Sequence, residues 1–445
     1  THHGCACRCF RCPYQAKVMN RLDAVGSTAQ VSAGWLVIGA GLAGAVAAAA
    51  TAAAPAWGGV LAAESLARPL TLLLVVGAGL LVVVLGLADQ RFLLVGGFLL
   101  YTAQMFNSSI VPVLTNVYAV VALLLVLLMG MLRGRLPRFE WLRTGIFPAT
   151  FVYLVVGFVL LGRSIDVGES LKSFLLLGYL IAFCWVVLSA ASAEEIRSAL
   201  RWTSGIVVAA SLVLVVVMPS AAIGGYELEI VANRWRGLTQ NPNALSTFAG
   251  IFFFTAASSM GALASLAPVV LVLAGTASRS VALALGVVAW PQLMRGQSVV
   301  VKRIAVVVAV EAAPTELYTV FFSENTAPVD ISDQALVRTT NTREKSWSGA
   351  VDALNTHPIG GLGAGNDFRS SDEGIPVSSS VLRPLVELGY PGLIPLGLIA
   401  LGGVRAARLQ PSLFRSLFAF LVIHGIFEGW LFAGGSMLFV VFVLA

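Results

Sequence analysis

The chain has 445 residues, 58% of them hydrophobic and 11% charged, with a mean hydropathy of +0.88, whereas an ordinary globular domain carries about 25% charged residues. Such scarcity of charge excludes disordered, coiled-coil, solenoid and transmembrane-barrel architectures and predicts an all-α, polytopic transmembrane bundle. The net charge of +6 reads as orientation rather than nucleic-acid binding, because in membrane loops the placement of Lys and Arg matters more than their sum.

The N-terminal segment, residues 1–33, is expected on the cytoplasmic side. Cys5, Cys7, Cys9 and Cys12 stand beside His2 and His3 in a spacing that matches none of the usual paired zinc-knuckle patterns. Met19 opens an ordinary basic start, MNRLDAVGSTAQ, so residues 1–18 read as upstream sequence translated in error, with metal binding as the alternative. Cys184 stands alone in an apolar run, as a small core residue would.

Apolar runs follow at about 34–55, 70–87, 92–106, 109–131, 145–162, 171–192, 203–219, 243–260, 263–277, 280–294, 301–314, 381–403, 413–432 and 433–445. At about 20 residues per crossing they predict 12 to 14 spans, the last two runs being one bent helix or two. The basic clusters 133–143, 295–303 and 405–415 then all fall inside when the N-terminus is cytoplasmic, as the positive-inside rule requires. Residues 34–219 form an N-terminal set of helices. Residues 220–445 carry the polar stretches that fall outside, 220–242 and a long loop at 315–380 containing short helices.

Three signals stand on that outer face. In the first, Arg234, Trp235, Arg236 and Gly237 precede Asn241-Pro242-Asn243. Either asparagine suits a helix N-cap, and the arginines suit an anion seat or an interfacial anchor. In the second, Ser278-Arg279 interrupts two apolar runs; an arginine there is a functional-site candidate or a snorkelling residue at a helix end.

The third lies in the long loop. Trp347, Val351 and Leu354 share one face of an amphipathic helix, His357-Pro358 stops it, and Gly360, Gly361, Gly363 and Gly365 follow. The glycines suit close approach of backbone amides to a ligand or simple loop packing. His424 and Glu428, four residues apart, read as a packing pair with a proton relay as the rival.

Taken in order, RWRGLTQNPNALSTFAG (234–250), GTASRSVALALG (275–286), REKSWSGAVDALNTHPIGGLGAGN (343–366) and VLRPLVELGYPGLIPLGLIALG (381–402) resemble the O-antigen ligase and O-antigen polymerase superfamily of bacterial membrane glycosyltransferases. The likeness runs from about residue 200 to the C-terminus.

The resemblance implies transfer or polymerisation of a glycan from an undecaprenyl-diphosphate carrier to a glycan or lipid-linked sugar acceptor. The site would face the exterior of the bacterial cytoplasmic membrane, among membrane lipids, with no cofactor or metal. It places Arg236, Arg279 and Glu387 in catalysis and Arg234, Asn243, Arg343, Gly363, Asn366 and Ser378 in substrate binding, with holding Arg383 or a catalytic arginine as the equal alternative for Glu387. Ligases of this family tend to carry a histidine nine residues before the glutamate of an E-x-G motif. Here that glutamate is Glu387 and the earlier position holds Ser378, which cannot act as an imidazole base. A transporter or flippase, and a non-catalytic envelope-assembly partner, are the rival readings.

Overall fold

A computed structural model describes residues 85–86, 89–107, 115–135, 146–223, 234–260, 262–276, 278–293, 342–371, 376–409 and 412–444. The runs expected at 34–55 and 301–314, most of 70–87, and the cysteine-rich N-terminus lie outside the described residues, as does much of the long loop.

The described chain is mostly helical, and no strand occurs among the described residues. The helices are α1 (Arg91–Ala103), α2 (Thr115–Leu132), α3 (Phe147–Val159), α4 (Val167–Ala190), α5 (Ala193–Val217), α6 (Pro242–Met260), α7 (Ala262–Thr276) and α8 (Arg279–Leu293). After them come α9 (Thr342–Thr356), α10 (Leu382–Leu388), α11 (Leu393–Leu409), α12 (Ser412–Phe427) and α13 (Met437–Leu444). Two of these, α4 with 24 residues and α5 with 25, are long and apolar enough to cross a membrane. One apolar core joins them, with Phe98, Tyr153, Phe183, Phe254, Phe420 and Phe439 among its fully buried side chains.

Local chemistry sets the ends of the long helices. Asp166 caps α4 by accepting the Glu169 amide at 3.1 Å, and Ser192 with Glu195 forms a capping box at the start of α5. That box explains why α5 starts ten residues before its apolar run. Residues 193–202 carry four charges, Glu194, Glu195, Arg197 and Arg201, but Arg133 pairs with Glu195 at 2.9 Å and also donates to the Ala190 carbonyl and to Gln90. The ends of α2 and α4 are thus tied to the starts of α1 and α5. At about 1.5 Å per residue α4 spans roughly 36 Å, and everything described below lies at its other end.

Two expected runs are divided differently. The run at 381–403 breaks at Gly389, whose φ of +71° only glycine adopts without strain; a Cβ there would also run into the Pro358 carbonyl. Glu387 therefore sits on a separate short helix. The run at 413–432 stops at Phe427, and the nine residues 428–436 form a turn before α13. Arg279 falls between the runs at 263–277 and 280–294 as expected, opening α8 after α7 has ended at Thr276. In the loop helix α9, the buried stripe is Ser346, Ala350 and Ala353, while Val351 is exposed. Small residues win that face because the chain comes close: a Cβ on Gly349 would collide with the Ser370 carbonyl.

Candidate functional site

Four segments distant in sequence meet at the far end of α4. The segment 234–241 is held by Trp235 N donating to the Gly275 carbonyl at 2.8 Å, by the Arg236 and Gly237 amides donating to Ala222, and by Asn107 and Gln240 amides bridging to Leu238 and Met105. Gly275 is required by this approach, since any Cβ would penetrate the Trp235 ring. Arg234 is buried; its Nε donates to the Thr276 carbonyl at 2.7 Å and its Nη2 to Asn243 Oδ1 at 2.9 Å. The two arginine-bearing motifs are in this way joined directly, Arg279 following three residues after Thr276.

Asn241, not Asn243, caps α6, accepting the Asn243 amide at 2.8 Å with Pro242 as the first helical residue. That frees the Asn243 side chain, whose Nδ2 donates to Glu428 Oε1 at 2.6 Å. Arg236 is half-buried: its Nε donates to the Ala221 carbonyl at 3.0 Å, and its two terminal nitrogens have no hydrogen-bond partner among the described residues. The backbone of Arg279 is described, but its side chain, like that of Arg343, lies outside the described set.

His424 is fully buried. Its Nε2 lies 3.2 Å from Thr247 Oγ1, and its Nδ1 accepts from Trp430 Nε1 at 3.2 Å, as a packing histidine does. Glu428 stands beyond the end of α12 and reaches Asn243.

A second network centres on Arg383 and Glu387. Arg383 Nε donates to Glu387 Oε1 at 3.0 Å, Nη1 to the Gly429 carbonyl at 2.8 Å, and Nη2 pairs with Asp367 Oδ1 at 3.3 Å. Glu387, also buried, accepts from the Gly365 amide at 2.8 Å and from the Tyr153 hydroxyl. Burial raises the Glu387 pKa against the opposing pull of Arg383. Burial also works against charge on Arg383, but Asp367 and Glu387 more than offset it and keep the guanidinium ionised.

The glycines serve this network. The Leu362 and Gly363 amides donate to the Val386 and Glu387 carbonyls at 2.8 and 2.9 Å, so the loop packs on α10 and the Gly363 amide is occupied. Gly363 has φ +94° and a Cβ on it would collide with Ser164. Asn366 Nδ2 donates to Ser164, to Ser170 and to the Asp166 carbonyl at 3.2–3.3 Å; its Oδ1 is buried without a partner. Ser378 is anchored through its main chain, its amide donating to Ser346 Oγ at 2.8 Å and its carbonyl accepting from Trp347 at 3.2 Å.

The turn 428–436 connects the two networks. Ser380 Oγ donates to the Glu428 carbonyl at 2.6 Å and accepts the Trp430 and Leu431 amides at 3.1 Å. Further along the same turn, the Phe432 ring stacks on Tyr153, centroids 4.2 Å apart and planes at 8°. A cavity of about 160 Å³ opens beside it, lined among others by Tyr153, Glu169, Ser173, Gly365, Glu387 and Phe432. No three His, Cys, Asp or Glu stand together as a metal-holding group among the described residues.

The structure therefore brings together Arg234, Asn243, Arg236 and the start of α8 in one cluster, and Gly363, Asn366 and Glu387 in a second. Sequence reasoning missed Tyr153, Asp367 and the linking role of Ser380. Tyr153 lies in an apolar helix without a local motif, and only its pairing across 234 residues reveals it. No protein-family model matches the chain, and no curated protein matches it.

Proposed function

We propose that the protein is a polytopic membrane glycosyltransferase that moves a glycan from an undecaprenyl-diphosphate carrier onto a sugar hydroxyl at the outer face of the bacterial cytoplasmic membrane. The observation that carries this reading is the direct bonding of the 234–243 segment to the 275–276 turn. It holds Arg234 and the neighbouring Arg236 against the end of α7, three residues before Arg279 opens α8, and guanidinium groups beside a helix N-terminus favour an anion.

In this reaction the bond from the sugar anomeric carbon to the diphosphate breaks, the diphosphate leaves with the electron pair, and the acceptor oxygen bonds to that carbon. Arg236 and Arg279 compensate charge that grows on the departing diphosphate, and Arg234 with Asn243 sets the segment they stand on. The acceptor proton passes to a carboxylate. Glu387 is the positioned group, since burial lifts its pKa toward the range in which a general base is effective at neutral pH. The same role is closed to Ser378, and the Tyr153 hydroxyl already holds Glu387 in place.

In cells whose only copy is Arg279→Ala, glycan transfer is lost while the protein still inserts in the membrane. Transfer at the wild-type level in that strain would sink the proposal.

A further inference from the structure

The cavity beside Phe432 has no part in holding a diphosphate. Two of its lining groups, Glu169 and Glu387, are carboxylates, and the one lining cation, Arg383, is already bracketed by Asp367 and Glu387. Glu169 is paired with Lys172 and Glu387 with Arg383, so an anion would find no uncommitted cation there, while an uncharged ligand rich in hydroxyls would meet acceptor lone pairs on Glu169, Glu387 and the Tyr153 hydroxyl, the remaining N–H groups of Arg383, and the Ser173 hydroxyl.

Size narrows the ligand further. At about 160 Å³ the cavity far exceeds the roughly 10–15 Å³ that admits one water, yet it falls below the roughly 300 Å³ at which pockets for drug-sized molecules begin. One six-membered ring is the scale it fits.

The wall is also built at a cost. Phe432, with φ +58°, is the one non-glycine with positive φ among the described residues, and a bulky side chain in that region is strained. Strain of this kind persists where the surroundings over-determine it, and it clusters at ligand sites. Here Tyr153 stacks on one side of the ring and Phe439 meets it edge-on at 5.5 Å. The cavity thus has an apolar aromatic wall beside carboxylates and hydroxyls, a combination suited to a sugar ring with its apolar and polar parts together.

We infer that this cavity is the acceptor subsite: it takes one neutral, hydroxylated sugar ring, with Glu169 and Ser173 as specificity-determining residues. The inference deepens the transferase reading and rests on it for the word acceptor, but sugar binding is measurable without any transfer.

The test uses the full chain in lipid nanodiscs and saturation-transfer NMR with a panel of methyl hexopyranosides. At least one glycoside is expected to bind saturably to wild type. Ser173→Leu, which fills the cavity, and Glu169→Gln, which changes a half-buried rim side chain paired with the exposed Lys172, are each expected to weaken that binding at least about tenfold with the thermal transition little changed. Inorganic pyrophosphate is expected not to compete. Absence of saturable binding across the panel overturns the inference, as does wild-type affinity in both variants or competition by pyrophosphate. Stabilisation of wild type by sodium or calcium ions that Glu169→Gln abolishes also overturns it, because the cavity would then be a cation site. Glycoside binding by a protein that transfers no glycan from a lipid-linked donor would leave the subsite standing and remove the transferase reading instead.

Discussion

Arg236 and Arg383 stand at the same end of the helices, in networks linked through the turn 428–436, yet they are held in opposite ways. Arg383 lies between Asp367 and Glu387 and gives its third nitrogen to the Gly429 carbonyl. Arg236 instead donates its Nε to the Ala221 carbonyl, and its two terminal nitrogens have no hydrogen-bond partner among the described residues. The comparison separates structure from chemistry. An arginine whose charge is matched by two buried carboxylates stabilises its surroundings and offers little to a new anion. A half-buried arginine whose terminal nitrogens are uncommitted, as in Arg236, can give them to a ligand. A buried cation is therefore not a sufficient sign of an anion site; the charges bracketing it decide.

The largest effect is expected at Arg383. Arg383→Ala strands two buried carboxylates, and removal of one partner from such a group costs about 3–5 kcal/mol. Thermal melts in detergent should show a strongly lowered transition, with part of the loss regained when Glu387→Gln is added. An unchanged melt would mean that the two carboxylates are solvated and the comparison does not hold.

Gly275→Ala tests the other centre. The added methyl forces the 275–276 turn away from Trp235, at about 1–3 kcal/mol for overpacking of this kind, and glycan transfer should fall with it. Trp235→Leu in the same chain should restore both stability and transfer, a coupling that a double-mutant cycle measures directly.

A smaller effect is expected at Tyr153. Tyr153→Phe removes one of the bonds to Glu387 and should cost about 0.5–1.5 kcal/mol. It should also raise the Glu387 pKa further, since the tyrosine bond favours the ionised form. The alkaline shift of the acid limb of the pH–rate profile is the measurement.

The smallest effect concerns Asp166, whose pKa is lowered by the Glu169 amide first and by Arg369 as well. A carboxylate lowered in the folded state contributes stability above its unfolded pKa of about 3.9, and that stability is lost as pH falls through the folded value. Asp166→Ala should therefore melt below wild type near neutral pH and approach it in strong acid.

Much of the helical layout was legible because apolar runs report burial directly. Where the reading slipped, polar residues had local reasons to be helical: the capping box at Ser192 and Glu195 carries α5 beyond its apolar run, and Gly389 ends α10 inside a continuous one. The Arg234, Asn243 and Glu387 positions could be named from motifs within one stretch of chain. Tyr153 and Asp367 could not, because their significance comes from contacts across the fold, and α3 carries no motif that marks one tyrosine among its apolar residues. The glycine-rich loop carried two readings, close approach to a ligand or loop packing. The amides of Leu362 and Gly363 donate to α10 carbonyls, so at those positions its conformation serves to seat Glu387.

The most direct test of the central claim is reconstitution of the purified chain with an undecaprenyl-diphosphate-linked glycan and a sugar acceptor, followed by gel analysis of the products. The account predicts longer or transferred glycan with wild type, and none with Arg279→Ala or Arg236→Ala at unchanged melting temperature. Equal product from wild type and both variants would contradict it.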